Sequence, residues 1–313
     1  MPESITRRSL IGSATTASAA MLAMGRLDKP ARAATVANPL DIHKAVKYQM
    51  IDEDLSVTDK FKLLKDLGYD GVELPAPLEI PMKEVIAARD ASGINVHGMT
   101  YGRAWRIAFN DPDKSVRDEA INGLKQALRD TKEFGGTAVL VVPAVVKKEW
   151  SYADAYKHSL AGLRACVETA EETGIAIAIE NVWNGFWLSP VEAARLVDAC
   201  ESPMGRGYFD VGNIVRMGWP EHWIEALGKR TIKLDIKEYS REKQINEGLR
   251  KGFNVELLEG DCDWPSVMAA LAKTHFTGWA TAEVPGGDRT RLKDIAERMD
   301  RIFALAPKQE MRN

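Results

Sequence analysis

Apolar and polar positions alternate along this chain with two different periods. From residue 43 onward, short apolar runs with a period of two are separated by longer stretches whose apolar positions recur every three or four residues. The first pattern is that of strands, the second that of amphipathic helices. Strands are predicted at 45–51, 71–76, 94–100, 138–144, 175–182, 206–212, 231–237 and 278–284. Helices are predicted near 57–67, 82–92, 113–134, 152–173, 190–201, 220–228, 264–274 and 289–305. Gly68, Gly93, Gly135 and Gly174 stand where predicted helices stop, as a left-handed closing residue requires. Strand then helix, repeated eight times over residues 43–305, predicts an α/β chain forming a single (β/α)8 TIM barrel. A doubly wound open sheet is the other way to arrange such units, and the absence of Gly-x-Gly-x-x-Gly after the first strand weighs against it. Residues 34–42 are expected to be a flexible lead-in and 306–313 a tail. The longest non-periodic stretch, 239–262, is expected to form a mobile cover over the barrel mouth, because loops of that length usually carry function.

Side chains alternate across a strand, so each strand assigns its own faces. In 175–180, Ile175, Ile177 and Ile179 share one face, and Ala176, Ala178 and Glu180 the other. In 232–237 the apolar Ile232, Leu234 and Ile236 oppose Lys233, Asp235 and Lys237. Tyr208 pairs with Asp210, Trp279 and Thr281 with Glu283, and Gly71 with Glu73. The apolar face belongs against the helices, which turns the carboxylates inward, near strand ends where barrels of this kind place their chemistry. Glu73, Glu180, Asp210, Asp235 and Glu283 would repel one another at one mouth. A divalent cation, an ion-pair network with Lys233 and Lys237, Arg241, or protonation of one member would relieve that repulsion.

The first 33 residues read differently. Arg7-Arg8 precedes an uncharged run over 10–24 rich in Ala, Ser and Thr, and Ala31-Arg32-Ala33 offers a small-x-small cleavage pattern. This resembles a twin-arginine export signal, placing the protein in the periplasm or otherwise outside the cytoplasm, with a mature chain from about Ala34. The run is too short and too weakly apolar to span a membrane. The whole chain carries a net charge of −3; without residues 1–33 it carries −6. An acidic body lacks the footprint of a nucleic-acid binder, while a small neutral ligand remains compatible. Cys166, Cys200 and Cys262 show no Cys-x-x-Cys spacing and read as packing residues. Nothing in the pattern signals an oligomeric state.

Four segments carry a family likeness. Ile179-Glu180-Asn181-Val182-Trp183-Asn184, Tyr208-Phe209-Asp210-Val211-Gly212-Asn213, Leu234-Asp235-Ile236-Lys237-Glu238 and Thr281-Ala282-Glu283 resemble the xylose-isomerase-like barrel family of sugar isomerases and epimerases. Leu258-Glu259-Gly260-Asp261, followed by Asp263-Trp264-Pro265, is similar to that family's turn into its last helix. The resemblance implies a divalent metal on four strand-end residues, carried over to Glu180, Asp210, Asp235 and Glu283. The family usually has His-x-Lys-Asp where this chain has Asp235-Ile236-Lys237-Glu238. An all-carboxylate set is harder, which favours Mg2+ or Mn2+ over Co2+ or Zn2+. Asn213 stands where epimerase relatives often have a histidine, and Arg241 where they place a substrate-contacting arginine.

His97, at the end of the third strand, is a candidate substrate contact; a lone histidine is also a common buried, satisfied residue. Trp183 suits the apolar face of a sugar, or a barrel rim. Asn213, Arg241 and Glu73 complete the expected substrate-binding set, and Glu180, Glu283 and Lys237 the catalytic one. The expected activity is metal-dependent sugar isomerisation or epimerisation, with proton abstraction next to a carbonyl giving an enediolate. The same proton abstraction on a 3-keto glycoside, followed by elimination, would make a lyase. A non-catalytic sugar-binding barrel is the reading from another class, supported by the missing histidine at 235.

Overall fold

A computed structural model describes residues 40–307. The expected export signal over 1–33, residues 34–39 of the expected lead-in and residues 308–313 of the expected tail lie outside the described residues. Eight strands follow the predicted positions: β1 (Ile42–Lys47), β2 (Gly71–Ala76), β3 (Asn95–Tyr101), β4 (Ala138–Val141), β5 (Ala176–Glu180), β6 (Gly205–Asp210), β7 (Thr231–Ile236) and β8 (Gly278–Ala282). Each pairs in parallel with its sequence neighbours, and β8 closes onto β1. The helices are α1 (Val57–Asp66), α2 (Met82–Ser92), α3 (Lys114–Glu133), α4 (Tyr152–Thr173), α5 (Pro190–Ala199), α6 (Gly212–Val215), α7 (Pro220–Leu227), α8 (Arg241–Glu247), α9 (Trp264–Lys273) and α10 (Arg289–Phe303).

Local chemistry explains the boundaries. Ser56, Asp113, Ser151 and Ser189 accept the first free N–H groups of α1, α3, α4 and α5. Gly93 and Gly174 close α2 and α4 in the left-handed region, at φ 67° and 73°. The outward strand residues, among them Val72, Leu74, Ile177, Ile179, Leu234 and Ile236, join one core with the helices. Ala138, Leu140, Ala176, Ala178 and Tyr208 fill part of the interior. All three cysteines are buried and free, as packing residues should be.

Three expectations are corrected. β1 starts at Ile42, within the expected lead-in, and stops at Lys47 rather than 51 because a 3-10 turn takes over at Tyr48–Met50. Ala306 is buried in the core rather than part of a free tail. Residues 239–262 are not structureless: they contain α8, capped by Ser240, and a 3-10 turn over Leu249–Phe253. Among the described residues no helix is long and apolar enough to cross a membrane.

Candidate active site

Four consecutive strands deliver the acids. Glu180 ends β5, Asp210 ends β6, Asp235 is the penultimate residue of β7, and Glu283 directly follows β8. One carboxylate oxygen from each lies within 4.8 Å of the other three. Two ammonium groups sit against them. Lys237 Nζ is 2.9 Å from Asp210 Oδ2 and 2.6 Å from Glu283 Oε2. Lys47 Nζ, from the end of β1, is 3.0 Å from Asp235 Oδ2, 3.2 Å from Glu283 Oε1 and 3.7 Å from Glu73 Oε1. Asn181 bridges β5 and β6: its Oδ1 accepts from Asp210 N and its Nδ2 donates to Asp210 O, both at 2.8 Å. Asn213 N donates to Asp210 Oδ1 at 2.8 Å.

Beneath this ring the barrel interior is a hydrogen-bonded column instead of the usual stack of branched aliphatic residues. Glu73 is fully enclosed and accepts from Tyr208 Oη at 2.6 Å and from Thr100 Oγ1. Tyr208 Oη also meets Thr281 Oγ1 at 2.8 Å, and Thr281 meets His97 Nε2 at 3.2 Å. His97 stacks on Trp279 with centroids 4.6 Å apart. Lys233 Nζ lies 2.9 Å from His97 Nδ1 and donates to His97 O at 2.6 Å. His97 is therefore a satisfied buried residue below the site, and Glu73 belongs to the layer between the two. Lys233 makes no ion pair with the carboxylates among the described residues; the one whose charge acts on it is Glu73.

Burial and crowding set the charges. Burial first, then the neighbouring Glu283 charge, raise Glu180 well above the usual carboxylate range. Burial raises Asp235 well above it too, against the pull of Lys47. Burial pushes Asp210 up to about 6, against the pull of Lys237. Burial alone would raise Glu283, but Lys47 and Lys237 hold it well below the usual range. Burial would likewise lower Lys47, but Asp235, Glu283, Glu73 and Glu180 together push it up, so it stays an ammonium. Burial lowers Lys233 to about 7, and burial with Lys233 keeps His97 neutral.

Five carboxylates thus face two ammonium groups, and the Asp235 Oδ1 atom is buried without a hydrogen-bond partner among the described residues. No hydrogen bond or ion pair ties the Glu180 carboxylate among those residues. A hard divalent cation fits this set in charge and in donor type. Above the ring opens a cavity of about 370 Å3 lined by Glu180, Glu283, Lys237, Thr100, Asn213, Trp183, Trp105, Arg250 and Phe253. Trp183 is fixed by its indole N–H to Asn213 O at 2.8 Å and packs on Phe253 at 4.7 Å.

The structure brings Glu180, Asp210, Asp235, Glu283 and Lys237 together and puts Trp183 and Asn213 on the cavity wall. Arg241 is placed elsewhere. Its Nε donates to Val215 O at 2.9 Å and its Nη2 to Gly218 O at 3.0 Å. That guanidinium ties α8 to the segment after α6, and Arg250 is the arginine that lines the cavity. The sequence reading missed Lys47. The signal was its shared parity with Ala45, masked by running the strand on to 51. Thr100, within β3, and Phe253, in the 3-10 turn inside 239–262, carried no residue-level signal, since only the closed barrel decides which side chains reach the cavity.

Residues 61–305 match the family model described as a xylose isomerase-like TIM barrel. The chain is similar to the 2-epi-5-epi-valiolone 7-phosphate 2-epimerase of Actinoplanes sp., at 31% identity over 116 residues, 37% of this chain and 41% of that protein. It is similar to the putative L-ribulose-5-phosphate 3-epimerase SgbU of Escherichia coli, at 23% identity over 239 residues, 72% of this chain and 82% of that one. Among solved structures, the apo 3-keto-D-glucoside 4-epimerase YcjR from E. coli superposes with a TM-score of 0.69 at 15% identity, covering 83% of this chain and 98% of that one.

Proposed function

Because the chain belongs to the xylose isomerase-like TIM barrel family, we propose that it is a sugar isomerase or epimerase that moves a proton beside a carbonyl group. The observation that carries this is the convergence of four strand-end carboxylates within 4.8 Å, two of which, with Lys237, line one cavity. The relatives named above support it, since each bears the name of an epimerase of a sugar or a sugar-like compound. The substrate class is a small sugar or keto-sugar.

Glu180 lines the cavity and, in its ionised form, is the base that takes the proton from the carbon next to the carbonyl. Lys237 stays protonated between Asp210 and Glu283, and its positive charge stabilises the oxygen of the resulting enediolate. Glu283 lines the same cavity from β8, three strands on from Glu180. Delivery of a second proton from that side, with the abstracted one left on Glu180, gives the epimer, and return of the abstracted proton by Glu180 at the neighbouring carbon gives the isomer. Glu180, Asp210, Asp235 and Glu283 are the residues to hold a divalent cation, Mg2+ or Mn2+ by their hardness, which when bound supplies Lewis-acid polarisation of the carbonyl. The second cavity described below favours one further reading. On a 3-keto glycoside, loss of the proton beside the ketone with cleavage of the anomeric C–O bond yields an enone and a free alcohol, which is lyase chemistry. The same proposal puts the protein outside the cytoplasm, on the strength of Arg7-Arg8 and the run that follows.

The test is solvent deuterium exchange followed by NMR, with D-allulose, D-tagatose and methyl 3-keto-glucoside, with and without Mg2+, Mn2+ or Co2+. Exchange is expected, and Glu180→Gln is expected to slow it by about 10²–10⁴-fold with an unchanged melting temperature. Release of methanol assigns the lyase. No exchange on any substrate defeats the enzyme reading and leaves a sugar-binding barrel.

A further inference from the structure

Next to the carboxylate cavity lies a second cavity of about 300 Å3. Val182, Trp183 and Asn213 belong to the walls of both, so the two cavities are neighbours with a common wall. Their chemistry is opposite. No carboxylate lines the second cavity; Phe186, Trp187, Ile214, Met217 and Trp223 do, beside Trp183. Arg216 is its one charged lining residue, and the guanidinium lies over the Trp183 ring at 5.0 Å. Leu188 and Met217, also in the lining, are 61% and 70% exposed, so the opening is apolar as well.

Trp187 marks this wall as costly to build. Its backbone sits at φ 57°, in the left-handed region that a bulky side chain disfavours. Its indole N–H is buried with no hydrogen-bond partner among the described residues. A buried unsatisfied donor is costly, and strain kept without local compensation is a recurrent mark of ligand sites.

We propose that the second cavity is a subsite for the apolar, ring-shaped aglycone of a glycoside whose sugar sits over the carboxylates. This rests on the sugar reading above and narrows its substrate to glycosides. The common wall of Val182, Trp183 and Asn213 sets the two cavities side by side, which supplies the geometry. Aromatic walls favour a flat apolar ring, and a single arginine already engaged with an indole is poor provision for a phosphate.

The test is titration calorimetry on the full-length protein with 4-nitrophenyl β-D-glucopyranoside and methyl β-D-glucopyranoside. The nitrophenyl compound is expected to bind at least tenfold more tightly. The double variant Leu188→Asp/Met217→Asp, at two exposed positions, is expected to lose that preference, with the methyl glucoside affinity as the control for folding. Equal affinities in the wild type, no binding of either, or a preference untouched by the double variant would each overturn the proposal. So would conversion of a dimer to a monomer by the variant without any glycoside preference, which would make the face a contact between copies. Deuterium exchange on small ketoses reports on the reaction alone, so failure there and failure here are separate results.

Discussion

Lys47 and Asp235 stand or fall together. The pair is buried, with Nζ 3.0 Å from Oδ2, and Lys47 also holds Glu283 and Glu73. Removing one partner of a buried pair leaves an uncompensated charge, at about 3–5 kcal/mol. Lys47→Met is therefore expected to lower stability by that order in denaturant unfolding, and added Mg2+ or Mn2+ is expected to raise the melting temperature of the variant more than that of the wild type. A flat metal response in both proteins would argue that Lys237 and protons suffice for the ring. Lys233 gives a prediction in pH. Its folded pKa is about 7 against an ordinary 10.5. Below pH 7 both folded and unfolded chains are protonated there, and the cost of burying the charge is fully present. Between pH 7 and 10.5 the unfolded chain holds the extra proton, so stability rises with pH. The stability of wild type relative to Lys233→Met is expected to climb across that window, as measured by urea titration at a series of pH values. A constant difference would contradict the shifted lysine.

At the scale of elements, Glu238 governs how the chain leaves β7 and enters α9. The side chain is 1% exposed. Its carboxylate accepts from Leu258 N at 2.9 Å, Cys262 N at 3.0 Å and the Trp264 indole at 2.8 Å. Gly260 lets this happen, because a Cβ there would lie 2.6 Å from Glu238 Oε1. This is the physical content of the Leu258–Pro265 motif: a carboxylate after β7 collects the N–H groups of a turn that has no strand to pair with. Glu238→Ala removes the acceptor of these three N–H groups and of Tyr239 N at 3.2 Å, at about 1–3 kcal/mol for each buried donor, so a loss of about 3 kcal/mol or more is expected in thermal or chemical unfolding. Hydrogen exchange should quicken first over 254–264. Uniform exchange across the barrel would show that the turn unfolds only with the whole.

At the scale of the whole molecule, the barrel mouth opens on two cavities of opposite character, one acidic and one aromatic. The acidic one takes lining from β3, β4, β5 and the residues just after β7 and β8, the aromatic one from the segment after β5 and from 213–223, while the 3-10 turn after α8 supplies Arg250 and Phe253 to the acidic one. Of the stretch 239–262, expected as a mobile cover, the residues that line the acidic cavity belong to the 3-10 turn Leu249–Phe253. The N-terminal residues bear on where such a protein works. Replacing Arg7 and Arg8 by lysine is expected to leave unprocessed precursor in the cytoplasm, scored by fractionation and blotting. Normal processing and export of the double variant would remove the twin-arginine assignment.

Periodicity alone determined the fold, because a parallel barrel writes the same two patterns eight times, and the strand and helix positions agree to within a few residues in most elements. Strand parity also determined which acids face inward, since alternation is a property of the extended backbone itself. Glu180, Asp210, Asp235 and Glu283 were legible for that reason. Parity says nothing of depth or of partners across the barrel. The fate of His97, which reads as a possible substrate contact but stacks on Trp279 below the ring, depended on a residue 182 positions away. Arg241 shares the same limit, since only the placing of Val215 and Gly218 decides what its guanidinium reaches. Lys47 entered the site because β8 pairs with β1 and closes the sheet, bringing the first strand beside the last. Closure is a long-range event, and charge balance inside a closed barrel is decided by whichever side chains it brings together.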